Sequence, residues 1–175
     1  MSSDLLEKNV PREFRGEVRI AEANLNDSTH QEAVLKIVDA YSLDAMGDGK
    51  PLSEEARRFL LPRLREHPTT LIFLAFRGQE PVGIAVCFRG FSTFAARPLM
   101  NIHDLAVLPA NRGEGISRQL LAAVEKKARE MGCCKLTLEV LEKNQRAREV
   151  YEAAGFGKPV YQEESSVTFF LSKRL

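Results

Sequence analysis

A chain of 175 residues, 44% hydrophobic and 28% charged, has the composition of an ordinary globular domain able to bury a core of its own. Its 25 Lys+Arg against 24 Asp+Glu leave a formal net charge of +1, which excludes the basic footprint of a general nucleic-acid binder. Cys87, Cys133 and Cys134 form an odd set with two members adjacent, neither a disulfide framework nor a spaced metal site, so reduced thiols and no metal are expected. The opening Met1–Lys8 lacks the apolar stretch of a secretory signal. The longest apolar run, Leu71–Phe76, is too short to cross a bilayer. The expectation is a soluble, cytoplasmic protein with neither nucleic acid nor membrane as partner.

In chain order, residues 1–15 are polar with little periodicity and read as a loose arm, leaving 16–175 as one domain. Glu17–Ala21 alternates charged and apolar residues, as a strand does. From His30 to Leu43, Ala33, Val34, Ile37, Val38 and Tyr41 recur at helical spacing. Met46–Pro51 is a loop by its glycines and proline. Ser53 can cap a second helix with Ala56, Phe59 and Leu60 inward, which Pro62 is expected to kink or end early. Leu71–Phe76, the connection Arg77–Glu80 and a strand from Val82 to Phe88 read as a hairpin, with Gly90–Phe94 continuing or fraying its end. Leu99–Leu108 is a further strand. Ile116, Leu120, Val124, Ala128 and Met131 mark a long helix ended by Gly132. Leu136–Val140 is a strand, Asn144 opens a short helix ended by Gly155, and a last strand falls within Val167–Leu171. The hairpin implies antiparallel pairing and the later strand–helix alternation parallel pairing, so the sheet is mixed.

The turn Asn111-Arg112-Gly113-Glu114-Gly115-Ile116-Ser117 joins a strand to a helix start. The first amides of a helix have no intrahelical acceptor and lie at the positive end of its dipole. Gly113 and Gly115 let backbone amides approach an anion closely, and Arg112 adds a permanent charge. A P-loop would need Gly-Lys-Ser/Thr, whereas Ile116 follows Gly115. A dinucleotide fingerprint would need a third glycine where Arg118 stands. Physics alone leaves an anion site and a plain chain-turning connection equally open.

The pattern Leu105-x-Val107-x-Pro109-x-x-Arg112-Gly113-x-Gly115-Ile116-x-x-x-Leu120-Leu121 resembles the core signature of the GCN5-related N-acetyltransferase (GNAT) superfamily. A second element, Asn144-x-x-Ala147-x-x-x-Tyr151-x-x-x-Gly155-Phe156, follows in the order that family shows. Together they cover about a third of the chain. The resemblance implies a mixed α/β fold, a twisted and mostly antiparallel sheet flanked by about four helices. It implies an acetyl-CoA-dependent N-acetyltransferase acting on a primary amine of a small molecule or peptide by direct attack in a ternary complex. A catalytically silent acyl-CoA-binding module is the alternative. Homodimers are common in the family. The cradle's last small residue, usually Gly or Ala, is Ser117 here.

Further roles are implied by the same resemblance. Leu105, Ala106 and Val107 would hold the pantetheine arm, with an amide near Val107 facing the thioester carbonyl. Arg112, Gly113, Glu114, Gly115, Ile116 and Ser117 would form the pyrophosphate cradle. Tyr151 would be the acid at the departing sulfur, and Asn144 would contact the CoA arm. The residues by themselves also allow a core tyrosine at 151 and a plain helix cap at Asn144. The base is open between His103, Asp104, a water chain and, less favourably, Glu139. Strict alternation would put His103 with Leu105 and Val107, and Asp104 on the opposite face with Ile102 and Ala106, so only one could face a given cleft. Phe91–Phe94 with Ile102–Leu105 is also similar to the polyamine-acetyltransferase branch, but His103 stands where that branch has a Glu. The acceptor side is expected around Tyr41, Asp44, Met46 and Asp48.

Overall fold

A computed structural model of the chain describes residues 16–157. The expected arm over 1–15 and the expected strand within Val167–Leu171 lie outside the described residues. Five strands, β1 (Val18–Glu22), β2 (Thr70–Arg77), β3 (Glu80–Ser92), β4 (Arg97–Val107) and β5 (Leu136–Leu138), form one sheet in the order β1-β2-β3-β4-β5. The first three pairings are antiparallel and β4–β5 is parallel. Among the described residues four α-helices accompany them: α1 (Ser28–Ser42), α2 (Glu54–Glu66), α3 (Ile116–Glu130) and α4 (Gln145–Ala153).

The apolar run in β2 has a direct cause. Leu71, Phe73 and Ala75 pack on the side of α3, while Ile72, Leu74 and Phe76 pack on the side of α1. A strand buried on both faces loses its polar alternation. Each helix therefore covers one face: α3 contributes Ile116, Leu120, Leu121, Val124 and Ala128, and α1 contributes Ala33, Val34 and Ile37. Gly83 lets α3 approach closely. A Cβ there would lie 3.1 Å from the Ala106 carbonyl oxygen, 3.2 Å from Leu120 Cδ1 and 3.3 Å from Ile116 Cγ2.

Local chemistry sets the helix ends. The Asp27 carboxylate accepts from the amides of Thr29 and His30, and the Ser53 hydroxyl from that of Ala56. Gly132, in the left-handed conformation, ends α3: its amide donates to the Arg129 carbonyl, and the Cys133 amide to that of Ala128. Pro62 does not end α2, which runs on to Glu66. Pro62 and Arg58, the residue whose carbonyl the proline leaves without its helical donor, are both exposed. The side chains of α2 also sit shallower than their spacing suggests: Ala56, Phe59 and Leu60 are half-buried, and the helix has no fully buried residue. Three strands differ in length from expectation. The β3–β4 hairpin extends out to Ser92 and Arg97, and β5 stops at Leu138.

Candidate active site

Two features of β4 open a site. The first is where its pairing with β5 stops: the register runs Met100–Leu136, Asn101–Thr137, Ile102–Leu138 and goes no further. Among the described residues, no strand pairs with that edge of β4 from His103 to Val107. Apart from the Val107 carbonyl, which accepts from Arg112, its backbone donors and acceptors are therefore available to a ligand that lies alongside like an added strand.

The second feature is a β-bulge. Val86 pairs with Asp104 and Cys87 with Ile102, so His103 is the extra residue. The bulge resets the alternation, and this corrects the sequence expectation for His103 and Asp104. Met100 and Ile102 before it, and Leu105 and Val107 after it, all face the α3 side. His103 and Asp104 therefore both turn to the α1 side. The exposed His103 ring lies edge-on to Phe88 at 5.6 Å, and Asp104 sits opposite the buried Val86.

Beyond β4 the chain passes through a 3₁₀ turn at Pro109–Asn111 into the glycine turn. Gly113 and Gly115 take φ of 84° and 77°, a region that glycine enters without strain. Gly115 is the N-cap of α3 and offers no side-chain acceptor, so the first amides of that helix carry no side-chain cap. The charged side chains of the turn are tied down on either side. Arg112 donates from Nε to the Val107 carbonyl at 2.9 Å and from Nη2 to Asp44 Oδ2 at 2.6 Å. Glu114 is ion-paired with Arg77 at the end of β2. An acid beside a phosphate would repel it; this pairing leaves the backbone of Glu114 in the turn while engaging its carboxylate elsewhere.

The far wall is α4. Asn144 caps it by accepting from the Ala147 amide at 3.2 Å. At the other end Gly155, with φ of 85°, allows the Phe156 amide to reach the Tyr151 carbonyl at 3.0 Å. The Phe156 ring then meets the Tyr151 ring edge-on at 5.8 Å. The Tyr-x-x-x-Gly-Phe spacing is thus a helix-ending motif that fixes the tyrosine ring.

These walls line a cleft that is open to solvent. Of the residues singled out from sequence, Leu105, Ala106, Val107, Arg112, Gly113, Ile116, Ser117, Asn144 and Tyr151 line it. Tyr41, Asp44 and Met46 line it from α1 and the loop that follows. His103, Asp104, Glu114 and Gly115 stand behind or beside this lining. Asp48 pairs with Lys50 at the exposed surface, and Glu139 is exposed past the end of β5. Asn111, Arg146, Ala147 and Val150 also line the cleft. Ala147 belongs to the second motif and Val150 shares its helix face with Tyr151, whereas Arg146 carries no sequence signal. Among the described residues, no group of three or more His, Cys, Asp or Glu is placed to hold a metal ion, and no helix is long and apolar enough to cross a membrane.

The titratable groups of the cleft act on one another. Burial pushes the Tyr151 phenol up to about 12, with smaller contributions from Tyr41 and Asp104. Burial also raises Tyr41, assisted by the charges of Asp104 and Asp44. Asp104 is raised by burial against the opposing influence of His103. Asp44 is lowered, first by the Met46 amide and then by Arg112.

The described architecture and the cleft agree with what similarity to known proteins shows. Residues 35–156 match the family model described as "Acetyltransferase (GNAT) family". An uncharacterized N-acetyltransferase of Bacillus subtilis is 32% identical over 101 residues, 58% of this chain and 67% of that protein. A thialysine N-epsilon-acetyltransferase of Bos taurus is 35% identical over 79 residues, 45% of this chain and 46% of the relative. The chain therefore spans about half to two thirds of these curated relatives. An aminoglycoside acetyltransferase solved with a CoA-based bisubstrate analogue superposes with a TM-score of 0.70 at 20% identity, covering 91% of this chain and 100% of that one, which shows the shared fold. A family match across most of the chain, on a sheet that opens beside β4 above a glycine turn, identifies the chain as a member of the GNAT acetyltransferase family.

Proposed function

We propose that this cleft transfers an acetyl group from acetyl-CoA to a primary amine by direct attack, with both substrates bound together. Family membership makes the chain an acetyltransferase; the assignment of roles to residues is our own reading. The open edge of β4 carries that reading. A pantetheine arm is itself an amide chain, and it can pair as a strand would with the edge at Leu105–Val107 that no strand covers among the described residues, where only the Val107 carbonyl is already engaged, by Arg112. The amides at the start of α3, reached through Gly113 and Gly115, then meet the diphosphate. The Ser117 hydroxyl, which lines the cleft, adds a small donor at the same place. Gly115 has room for the ligand, since a Cβ there would meet no protein atom within 4 Å.

The chemistry asks for a neutral amine, a stabilised carbonyl oxygen and a partner for the departing thiolate. Tyr151 is the donor to sulfur. Burial keeps its phenol protonated throughout the neutral range. Asp104 is the base in preference to His103. It lies close enough for its charge to raise both Tyr41 and Tyr151, and its raised pKa suits proton removal better than that of an ordinary carboxylate. His103 turns outward onto Phe88 and acts on Asp104 through its charge. The acceptor enters from the α1 side, past Tyr41 and Met46. It is a small-molecule or peptide amine, the class that the names of the bovine and aminoglycoside-acetylating relatives also describe for those proteins.

The test is release of free CoA from acetyl-CoA across a panel of primary amines. Turnover with at least one amine is expected. Tight CoA binding without turnover on any of them would leave a silent acyl-CoA-binding module instead.

A further inference from the structure

Arg112 spends its charge away from the place where its motif suggests. Its guanidinium bridges two groups: the carbonyl of Val107, the last residue of β4, and the carboxylate of Asp44, 68 positions away in the chain. The second oxygen of Asp44 accepts from the Met46 amide at 2.8 Å. The Gly47 amide donates to the Asp44 carbonyl at 2.9 Å. The loop after α1 folds so tightly here that a Cβ on Gly47 would sit 2.3 Å from the Tyr41 carbonyl oxygen. One carboxylate thus fastens the loop that carries Met46 to the turn that carries Gly113.

The pair is unlike its neighbours at the surface. The Arg112 and Asp44 side chains are 34% and 17% exposed, whereas Lys50 and Asp48 in the same loop are 70% and 72% exposed. An exposed pair of the latter kind contributes little, while a short, partly buried, charge-assisted bond holds geometry. On the other flank of the turn, Glu114 is held by Arg77. With both charged side chains of the turn engaged, its anion-binding capacity rests on its backbone amides and the Ser117 hydroxyl.

We propose that Asp44 is a positioning residue that seats the acceptor-side loop on the cofactor turn through Arg112, so that the two walls of the cleft move as one unit. The placement of acceptor and cofactor rests on the function proposed above, but the mechanical coupling does not.

Amide hydrogen exchange on the protein without cofactor tests the coupling directly. Exchange at Met46 to Lys50 is compared in the wild type, Asp44→Asn and Arg112→Gln, with the α3 amides from Leu120 to Val124 reporting that the fold is intact. Both variants are expected to speed loop exchange on the order of five- to tenfold, and the double variant no more than either alone. Unchanged loop exchange in Arg112→Gln overturns the proposal. Should either variant fold poorly, Arg112→Lys, which keeps the charge but cannot bridge both acceptors in the same plane, gives the same reading in milder form.

A second measurement separates this proposal from the function beneath it. In Asp44→Asn the acceptor KM is expected to rise several-fold, while CoA affinity holds or tightens and becomes more salt-dependent as the guanidinium is released. Weakened CoA binding with an unchanged acceptor KM overturns the positioning role. Faster loop exchange with both constants unchanged supports the coupling and overturns the acceptor placement.

Discussion

Replacing Tyr151 with Phe removes one oxygen and keeps the ring against Phe156, so the fold should not register the change. The size of the catalytic loss follows from the environment of the phenol. Burial lifts Tyr151 to about 12, whereas an ordinary thiol lies near 8.5, so complete proton transfer to a free thiolate would be uphill by about 5 kcal/mol. The hydroxyl therefore acts by a hydrogen bond that strengthens as charge develops on sulfur. A bond to a charged partner contributes about 1.5–3 kcal/mol, which converts to a loss of roughly 10- to 150-fold in kcat. Steady-state kinetics and calorimetric titration with acetyl-CoA in the absence of acceptor should show that loss with the acetyl-CoA Kd nearly unchanged, since the bond strengthens only on the way to products. Activity close to wild type, or a loss of acetyl-CoA affinity as large as the loss of kcat, would refute the reasoning.

Three other substitutions probe separate parts of the account. Gly115→Ala places a side chain at φ 77° with no atom to strike, so the strain costs about 1–2 kcal/mol of stability; CoA affinity should fall further than this strain explains, and equal CoA binding would count against the cradle. Gly83→Ala drives a methyl into Ala106, Leu120 and Ile116, and should cost about 1–3 kcal/mol in urea denaturation, with no loss meaning that α3 does not pack as described. Asp104→Asn should lower kcat and raise stability at neutral pH. Burial holds the folded carboxyl above its ordinary 3.8, so the folded state keeps a proton that the unfolded chain has released, and stability falls as pH climbs through that window. The melting advantage of the variant should therefore appear at pH 7 and vanish below 3.8; an advantage at every pH would point to packing instead.

The parts of the fold that announce themselves in sequence are those governed by local rules. The 3.6-residue spacing of Ile116, Leu120, Val124 and Ala128, closed by Gly132, predicts α3 almost to the residue. The Asn144 cap and the Tyr151–Gly155–Phe156 ending do the same for α4. The cleft lining was largely legible because it is built from these two motifs and the strand between them. What escaped was non-local. No residue type marks the bulge at His103; it follows from the β3–β4 register and brings His103 onto the face of Asp104, away from that of Leu105 and Val107. Nothing near Arg112 in sequence announces its bond to Asp44, which is remote in the chain, and Arg77 gives no hint of its pairing with Glu114 for the same reason. Pro62 is expected to end the helix because helix rules count the lost hydrogen bond, yet α2 runs on to Glu66 with Pro62 on its exposed side.

The central claim is that backbone amides of the Gly113–Ser117 turn and the open edge of β4 hold CoA. Amide-resolved NMR during titration with CoA measures this most directly. The largest shifts are expected at Gly113, Gly115, Ile116 and Ser117 and along Leu105 to Val107, with β1 and α2 undisturbed. Saturable binding that leaves the turn amides unmoved, or shifts centred on another surface, would contradict it.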